Sequence, residues 1–455
     1  MAGKGRSRTT KRSTPSRSPS LSDEVVSQRL ELITRPDFSK NCFEKKALPK
    51  GKGKSSVKTI GILTSGGDGP AENAAIAALS QLGIEKYGYR ILGISDGFKG
   101  LLDPQNRVLE IERSHIEGET ALQRARKILY CSDWLSGLNG YKGIEDLGGN
   151  ILRSSRTDPV QKEPDGSEHA TLAKKTMHDY GMDALVVLGG NGTQCAALDL
   201  HRMGIPLVFI PQSIDADVPG SVTSIGFPSA VNRGAREMAV FLNTAQSCGR
   251  WFLVEIMGQR YGMLTLGVGR NARMGRYFEH GKQLGPPVRV DSLFTEIARP
   301  MSDIPLLIQH RKGHGQDHGV LLISEGVIFE DAQPPRETNA YNRMLIEAGD
   351  VSRWVRQRLL TRHDLRNTRS VSLGYSLRGA HPSPHDIALA QQLAAAALEL
   401  VAQGAFGRMV GLEFVGKTAR LTLQCPKIVD VAKQEVTLNP QYFQHVRTLL
   451  ENNAS

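Results

Sequence analysis

Two aspartates, Asp215 and Asp217, close the stretch Pro211-Gln212-Ser213-Ile214-Asp215-Ala216-Asp217, directly after an apolar run. Carboxylates at that spacing can supply a general base and a second acid that orients it or associates with Mg2+. Solvated turn acids have the same pattern, so the pair alone assigns no reaction. Two glycine-rich turns stand beside this stretch in type. Thr64-Ser65-Gly66-Gly67-Asp68-Gly69-Pro70-Ala71-Glu72-Asn73 reads as strand, turn and helix start, with Pro70 near the first helical turn, where its missing N–H costs nothing. Backbone N–H groups in such a turn hold a phosphate against the helix dipole. It lacks both the Walker ending and the GxGxxG spacing. Leu188-Gly189-Gly190-Asn191-Gly192-Thr193-Gln194 also follows an apolar run, and its glycines let a phosphate approach the backbone. Each turn taken alone reads equally well as a tight βα connection that binds nothing. Arg156, Arg250, Glu255, Glu325, Arg369 and Arg378 lie near the ends of apolar runs. Arginines grip phosphate bidentately, although any single one is more often a surface charge. Phosphoryl transfer needs all of these together: a base, donors for the phosphates and control of negative charge.

The elements that must position these residues are short apolar runs. Thr59–Ser65, Ala184–Leu188, Pro206–Pro211, Phe252–Ile256 and Val320–Ser324 are continuous and rich in Val, Ile and Leu. That pattern predicts parallel strands buried on both faces. Helix-like stretches at Ala71–Tyr87 and Thr171–Tyr180 fall between them, and the Ala-rich stretch Pro384–Gln403 has strong helix propensity. The alternation predicts an α/β fold with right-handed crossovers. Ligands of such folds sit beyond the carboxyl ends of the strands, where the glycine-rich and acidic turns fall.

The 455 residues, 40% hydrophobic, are enough for two to three domains. No apolar run reaches 18 residues, so no membrane span is expected. The five cysteines form neither a CxxC nor a Cys/His cluster, which fits a reduced intracellular, cytoplasmic setting without zinc. Basicity is local. Residues 1–58 hold fifteen Lys/Arg against five Asp/Glu, while the whole chain is only +11, so the body is near neutral. The opening MAGKGRSRTTKRSTPSRSPS predicts a disordered, solvated tail. A transit peptide shares its composition but has an apolar helical face that is missing here, which leaves organelle targeting open. A nucleic-acid tether is the other reading of a basic arm. Ser20–Lys58 reads as an irregular extension.

Taken in order, the motifs resemble the phosphofructokinase family. Its TSGGD-x-PG-x-N pattern stands as Thr64–Asn73, GGDG[ST] as Gly189–Thr193, and P-x-TIDND as Pro211–Asp217 followed by IGF at 225–227. VE-x-MGR stands as Val254–Gln259 and LGHIQRGG-x-P-x-x-D as Leu373–Asp386. The resemblance spans roughly residues 58–415 and implies two Rossmann-like lobes with parallel-rich sheets. It implies a basic, disordered extension over 1–57, a donor-binding lobe of 58–228 plus 377–425, and a sugar-phosphate lobe of 229–376 plus the C-terminal segment. By resemblance, Asp215 is the base for the sugar 1-hydroxyl, and Arg156 and Gly67 serve the transferring phosphoryl. Gly67, Gly189, Gly190, Asn191, Gly192 and Thr193 hold the donor. Ser213, Ile214, Met257, Gly258, Gln259, Glu325, Tyr375 and Arg378 meet the sugar phosphate. Arg250 and Arg369 reach the 6-phosphate of a neighbouring subunit, which implies a homo-oligomer. Mg2+ falls to Asn191 and Asp217.

The chain departs from the family at four of these positions. Asn191 replaces the family's aspartate, Ala216 its asparagine, Gln259 its arginine and Tyr375 its histidine. An amide oxygen still coordinates a hard cation, but without charge, so metal affinity falls. Gly192 leaves room for a nucleotide and favours ATP, whereas Gln212 matches neither ATP nor pyrophosphate users. Ala77 and Gln81 stand where bacterial members carry effector-binding arginines, which implies a lost or altered effector site. The stretch Ser114–Asp146 is longer than in short bacterial members. The expected activity is phosphoryl transfer from ATP to fructose 6-phosphate. The alternatives are the pyrophosphate-dependent reaction, a non-catalytic sugar-phosphate-binding relative, and a nucleic-acid binder working through its tail.

Overall fold

The computed structural model describes residues 22–34, 43–45, 56–105, 107–111, 143–160, 169–273, 277–279, 282–284, 290–293, 298, 300–334, 337–338, 344–345, 347–362, 365–414, 416 and 420–428. The tail 1–21 and most of the long stretch at 114–146 lie outside them. The apolar runs are strands. In chain order the principal ones are Thr59–Ser65 (β1), Arg90–Ile94 (β2), Val108–Glu110 (β3), Ala184–Gly189 (β4), Leu207–Ser213 (β5), Trp251–Ile256 (β6), Val290–Leu293 (β7), Gly319–Ser324 (β8), Thr368–Ser372 (β9) and Arg408–Met409 (β10). The helices used below are Asp23–Thr34 (α1), Glu72–Tyr87 (α2), Asn191–Arg202 (α3), Phe227–Cys248 (α4), Met263–Arg273 (α5), Asp350–Arg362 (α6) and Pro384–Ala402 (α7).

Two sheets carry the fold. The first runs β10-β5-β4-β1-β2-β3, with the two-residue strand Ile225–Gly226 pairing beside β5. Its pairings are parallel except that of β2 with β3. The second runs β7-β8-β6-β9 and is parallel throughout. This is the α/β architecture expected from the alternation of runs.

The strands are apolar end to end because both faces of each sheet are covered. In β4, Val186 and Leu188 pack with α2 and α7, while Leu185 and Val187 pack in a separate cluster that includes Ala197 and Leu200 of α3. In β6, Phe252, Val254 and Ile256 join α4 and α5, while Trp251 and Leu253 face Val351 and Val355 of α6. Each such side chain contributes about 1.5–3 kcal/mol by leaving water.

One expectation changes. The segment read as an irregular extension, within the 1–57 tail taken as disordered, contains helix α1. Val26, Leu30 and Ile33 recur at a helical spacing and bury one face in the second sheet's core. Glu24 lies in the first turn, where the helix dipole favours negative charge. The surrounding lysines and arginines hide this short apolar stripe from any reading based on composition.

Candidate active site

Strand β5 ends at Ser213, two residues later than the apolar run, because Gln212 and Ser213 pair with Ile225 and Gly226. Beyond it the chain alternates. Ile214 and Ala216 turn into the second core, while Asp215 and Asp217 face the other way at 5% and 4% exposure. Ile214 therefore meets the cleft with its backbone alone, a narrower role than the sugar-phosphate contact expected of it. Ser213 ties the two acids together: its Oγ donates to Asp217 Oδ1 at 2.8 Å and accepts the Asp215 N–H at 3.1 Å. Burial, and then the neighbouring Asp217, push the Asp215 carboxyl up to about 7, while the Arg378 guanidinium pulls it down. Its Oδ1 is buried and has no hydrogen-bond partner among the described residues.

The first glycine turn, after β1, is tied to β5 by Gln212, whose Nε2 donates to the Gly67 carbonyl. Gly66 takes φ 103°, and its N–H donates to the Ser155 carbonyl at 3.0 Å. Arg156, exposed, follows Ser155 and so stands beside the loop. Gly67 is packed against Arg378: a Cβ there would lie 2.5 Å from Arg378 Nη1, so the guanidinium would have to move. Arg378 Nη1 itself donates to the Asp68 carbonyl at 2.9 Å. The second glycine turn is joined on: Thr193 Oγ1 donates to the Ser65 carbonyl at 2.9 Å, and Asn191 Nδ2 donates to Asp217 Oδ2 at 2.8 Å. Helix α3 starts at Asn191, after Gly189 and Gly190. The amides of Asn191, Gly192 and Thr193 are thus those of a helix N-terminus, where phosphate is favoured.

The second sheet supplies the opposite wall. Glu325 follows β8 and accepts N–H bonds from Gly258, at 3.1 Å, and from Gln259. Burial raises its pKa; those two amides lower it. Met257 and Gly258 follow β6, and Tyr375, 75% exposed, stands after β9 on the turn that ends in Arg378. All of these lie at carboxyl ends of strands. Glu255 does not belong with them. Its carboxylate accepts the Gly349 and Ser352 N–H groups, each at 2.8 Å, and so caps α6. Arg250 and Arg369 do not join the cleft either. Arg250 precedes β6 and Arg369 is the second residue of β9, towards the amino ends of a sheet about 20 Å deep. Arg369 Nη1 rests on the Arg366 and Thr368 carbonyls at 3.0 and 2.9 Å.

The family model for phosphofructokinase matches residues 59–401 of this sequence. The chain belongs to the phosphofructokinase family. An ATP-dependent 6-phosphofructokinase of Spirochaeta thermophila is 30% identical over 368 residues, covering 78% of this chain and 88% of its own. Among solved structures, the pyrophosphate-dependent phosphofructokinase of Marinobacter aquaeolei superposes with TM-score 0.61 at 18% identity, covering 85% of this chain and 86% of its own. The T-state phosphofructokinase of Pichia pastoris superposes with TM-score 0.58 at 22% identity; it covers 90% of this chain, which spans only 38% of that longer one. Both structures share the fold.

Phosphofructokinase chemistry asks for Mg2+, and the residues present fit it. Mg2+ is bound by one or two carboxylates together with substrate phosphates and water. Asp217 supplies one carboxylate. Its Oδ1 accepts from Ser213 and its Oδ2 from Asn191, and a carboxylate offers about four lone-pair sites in all. With its amide nitrogen turned to Asp217, Asn191 would offer its carbonyl oxygen as a neutral ligand. No group of three or more His, Cys, Asp or Glu among the described residues forms a metal cage.

The structure also adds residues that motif reading missed. Glu72, buried at the start of α2, accepts the Gly69 N–H at 2.7 Å and an Asn150 amide bond. Asn150 also bonds Thr64 Oγ1, so one carboxyl couples the donor loop to the segment leading to Arg156. Burial, then the nearby Asp68, raise the Glu72 pKa well above its ordinary value. Gln212 Nε2 donates to the Gly67 carbonyl at 3.3 Å, joining β5 to the same loop.

Proposed function

We infer that this phosphofructokinase transfers the terminal phosphoryl group of ATP to the 1-hydroxyl of fructose 6-phosphate. The observation that carries this reading is the buried Asp215 carboxyl, its Oδ1 unpartnered among the described residues, under the electrostatic influence of Asp217, Glu325 and an Arg378 that is itself bonded to the donor loop. A base near pH 7 loses and accepts a proton at little cost. Asp215 takes the proton from the sugar 1-hydroxyl as its oxygen attacks phosphorus. Arg156 stabilises the charge spread over the equatorial oxygens of the transferring group. The amides of Gly67 and of residues 191–193 hold the donor phosphates. Asp217 and Asn191 would hold Mg2+, which when bound would neutralise charge on those phosphates. Glu325, Met257, Gly258, Tyr375 and Arg378 orient the sugar phosphate. The lobe built on the first sheet binds the donor, and the lobe built on the second binds the sugar.

The same reading makes the enzyme a homo-oligomer. Arg250 and Arg369 lie at the far edge of the sheet from Glu325, so they serve the 6-phosphate at a neighbouring subunit's site. No helix among the described residues is long and apolar enough to cross a membrane. We place the enzyme in the cytoplasm, where scattered cysteines stay reduced.

Turnover of fructose 6-phosphate with Mg2+, with ATP and pyrophosphate supplied in parallel, tests the reading. Activity with ATP that disappears in Asp215→Ala is expected. Activity with pyrophosphate alone would move the donor assignment, which rests on the small Gly192. No activity with either, in a folded protein, would turn Asn191, Ala216 and Gln259 into marks of a non-catalytic relative.

A further inference from the structure

Helix α1 lies outside the segment that the family model matches, yet it packs against the back of the catalytic loop. Val26, Leu30 and Ile33 share one apolar cluster with Ile214 and Ala216, the residues that alternate with the two catalytic-loop acids. The Ile33 carbonyl belongs to the last turn of α1, where no amide of the helix remains to meet it. Thr223 Oγ1, on a residue 1% exposed, donates to that carbonyl at 3.2 Å. The next residue, Ser224, donates its Oγ to the Ser213 carbonyl at 2.6 Å. Ser213 is the residue that bonds both Asp217 and the Asp215 N–H. A continuous path of bonded residues thus runs from α1 to the base. The helix is anchored on two sides. Arg29 Nη2 donates to the Gly416 carbonyl at 2.6 Å with its guanidinium 4.7 Å from the Phe414 ring centroid, and Arg270 of α5 donates to the Ser27 carbonyl at 3.0 Å.

We propose that α1 is an intramolecular brace for the catalytic loop and that Thr223 is a positioning residue for phosphoryl transfer, acting through Ser224 and Ser213. The proposal rests on the phosphoryl-transfer reading above. Its physical basis is the steep dependence of rate on placement: an error of about 1 Å costs on the order of a hundredfold. Thr223 touches no reacting group, and its buried hydroxyl is spent on a helix that the family model leaves out.

Thr223→Val keeps the shape and removes the donor, whereas Thr223→Ser keeps the donor. The measurements are kcat and both KM values at 25 °C, the melting temperature, and hydrogen exchange at residues 213–217. Thr223→Val is expected to lower kcat by about tenfold, leave both KM values within about twofold, and speed exchange at 213–217, with Thr223→Ser close to wild type. A Thr223→Val enzyme that melts lower but keeps the wild-type kcat overturns the proposal, as does a loss that Thr223→Ser fails to rescue. If the wild-type protein shows no turnover, the functional reading fails by itself. The exchange comparison then decides the brace, and equal exchange in wild type and Thr223→Val rejects it. Should Thr223→Val not fold, Arg29→Met loosens α1 from the Phe414 side; unchanged kcat and unchanged exchange in that variant reject the brace.

Discussion

At the scale of single residues, the base and the backbone around it can be tested separately. With Asp215 held up to about 7 by burial and by Asp217, the free enzyme binds a proton there below that pH, which under the proposed mechanism removes its base. The expected result is a kcat/KM that falls about tenfold per pH unit below about pH 7, with a profile measured from pH 5 to 9 as the check. Removal of the base in Asp215→Asn is expected to cost a factor of about 100 to 10,000 in kcat. Three non-glycine residues around the cleft carry left-handed backbone: Ala71 at φ 65°, Ala216 at φ 53° and Gln259 at φ 50°. The family pattern has glycine at the first of these and asparagine at the second, the residue types that accept this conformation. Relief of strain at Ala71 is worth about 1–2 kcal/mol, against about 0.8 kcal/mol for the buried methyl lost. Ala71→Gly should therefore raise stability by up to about 1 kcal/mol in urea denaturation, whereas β-branched Ala71→Val should lower it by more than about 2 kcal/mol.

At the scale of elements, Asp386 joins the start of α7 to the start of α4. Ser383 caps α7 and accepts the Asp386 N–H, while the Asp386 carboxyl accepts the Gly226 and Ser229 N–H groups and the Ser229 hydroxyl, the last at 2.6 Å. Burial outweighs those donors and pushes its pKa up to about 7. The folded state therefore holds a proton that the unfolded chain has released, so stability falls as pH rises from about 4 to about 7 and is flat above. Asp386→Asn and Asp386→Ala are both expected to flatten that slope between pH 5 and 8, with Asp386→Ala costing on the order of 3 kcal/mol at pH 5 by leaving the donors unpaired and less at pH 8; denaturation at the two pH values checks both. Elements of this kind divide into those legible in the sequence and those not. Runs such as ALVVL at 184–188 announce themselves because burial on both faces demands unbroken apolarity. Gly66 and Gly189 are legible because positive φ at the first, and the close approach of Thr193 and the Ser65 carbonyl at the second, leave few other residue types. Glu72 reads as an ordinary helix residue, since its role depends on Asn150, 78 positions away. Helix α1 was hidden for a related reason: the stripe Val26, Leu30 and Ile33, short and set between basic flanks, acquires meaning only against Phe227 and Leu264.

At the scale of the whole molecule, the separation of Arg250 from Glu325 bears on the proposed sharing of sites between subunits. The two stand at opposite ends of adjacent strands, Arg250 before β6 and Glu325 after β8, in a sheet whose register aligns Gly319 with Trp251 and Ser324 with Ile256. That placement was readable from the sequence, because one residue precedes its apolar run and the other follows. If each site takes its base from one subunit and its phosphate-binding arginine from another, damage to the two must complement. Asp215→Ala and Arg250→Ala oligomers should each be nearly inactive alone. Mixed, dissociated and reassembled across a symmetric interface, about half of the pairs are hybrids with one site free of either substitution, which restores about one quarter of wild-type activity. Two-fold symmetry puts both substitutions into the hybrid's other site, so recovery cannot exceed that level. Recovery near one quarter, read as kcat per active-site equivalent after reassembly at equal concentrations, would establish the shared site. No recovery from hybrids verified by mass would place both groups in the service of one chain, and Arg250 would then have to reach around the edge of its own sheet.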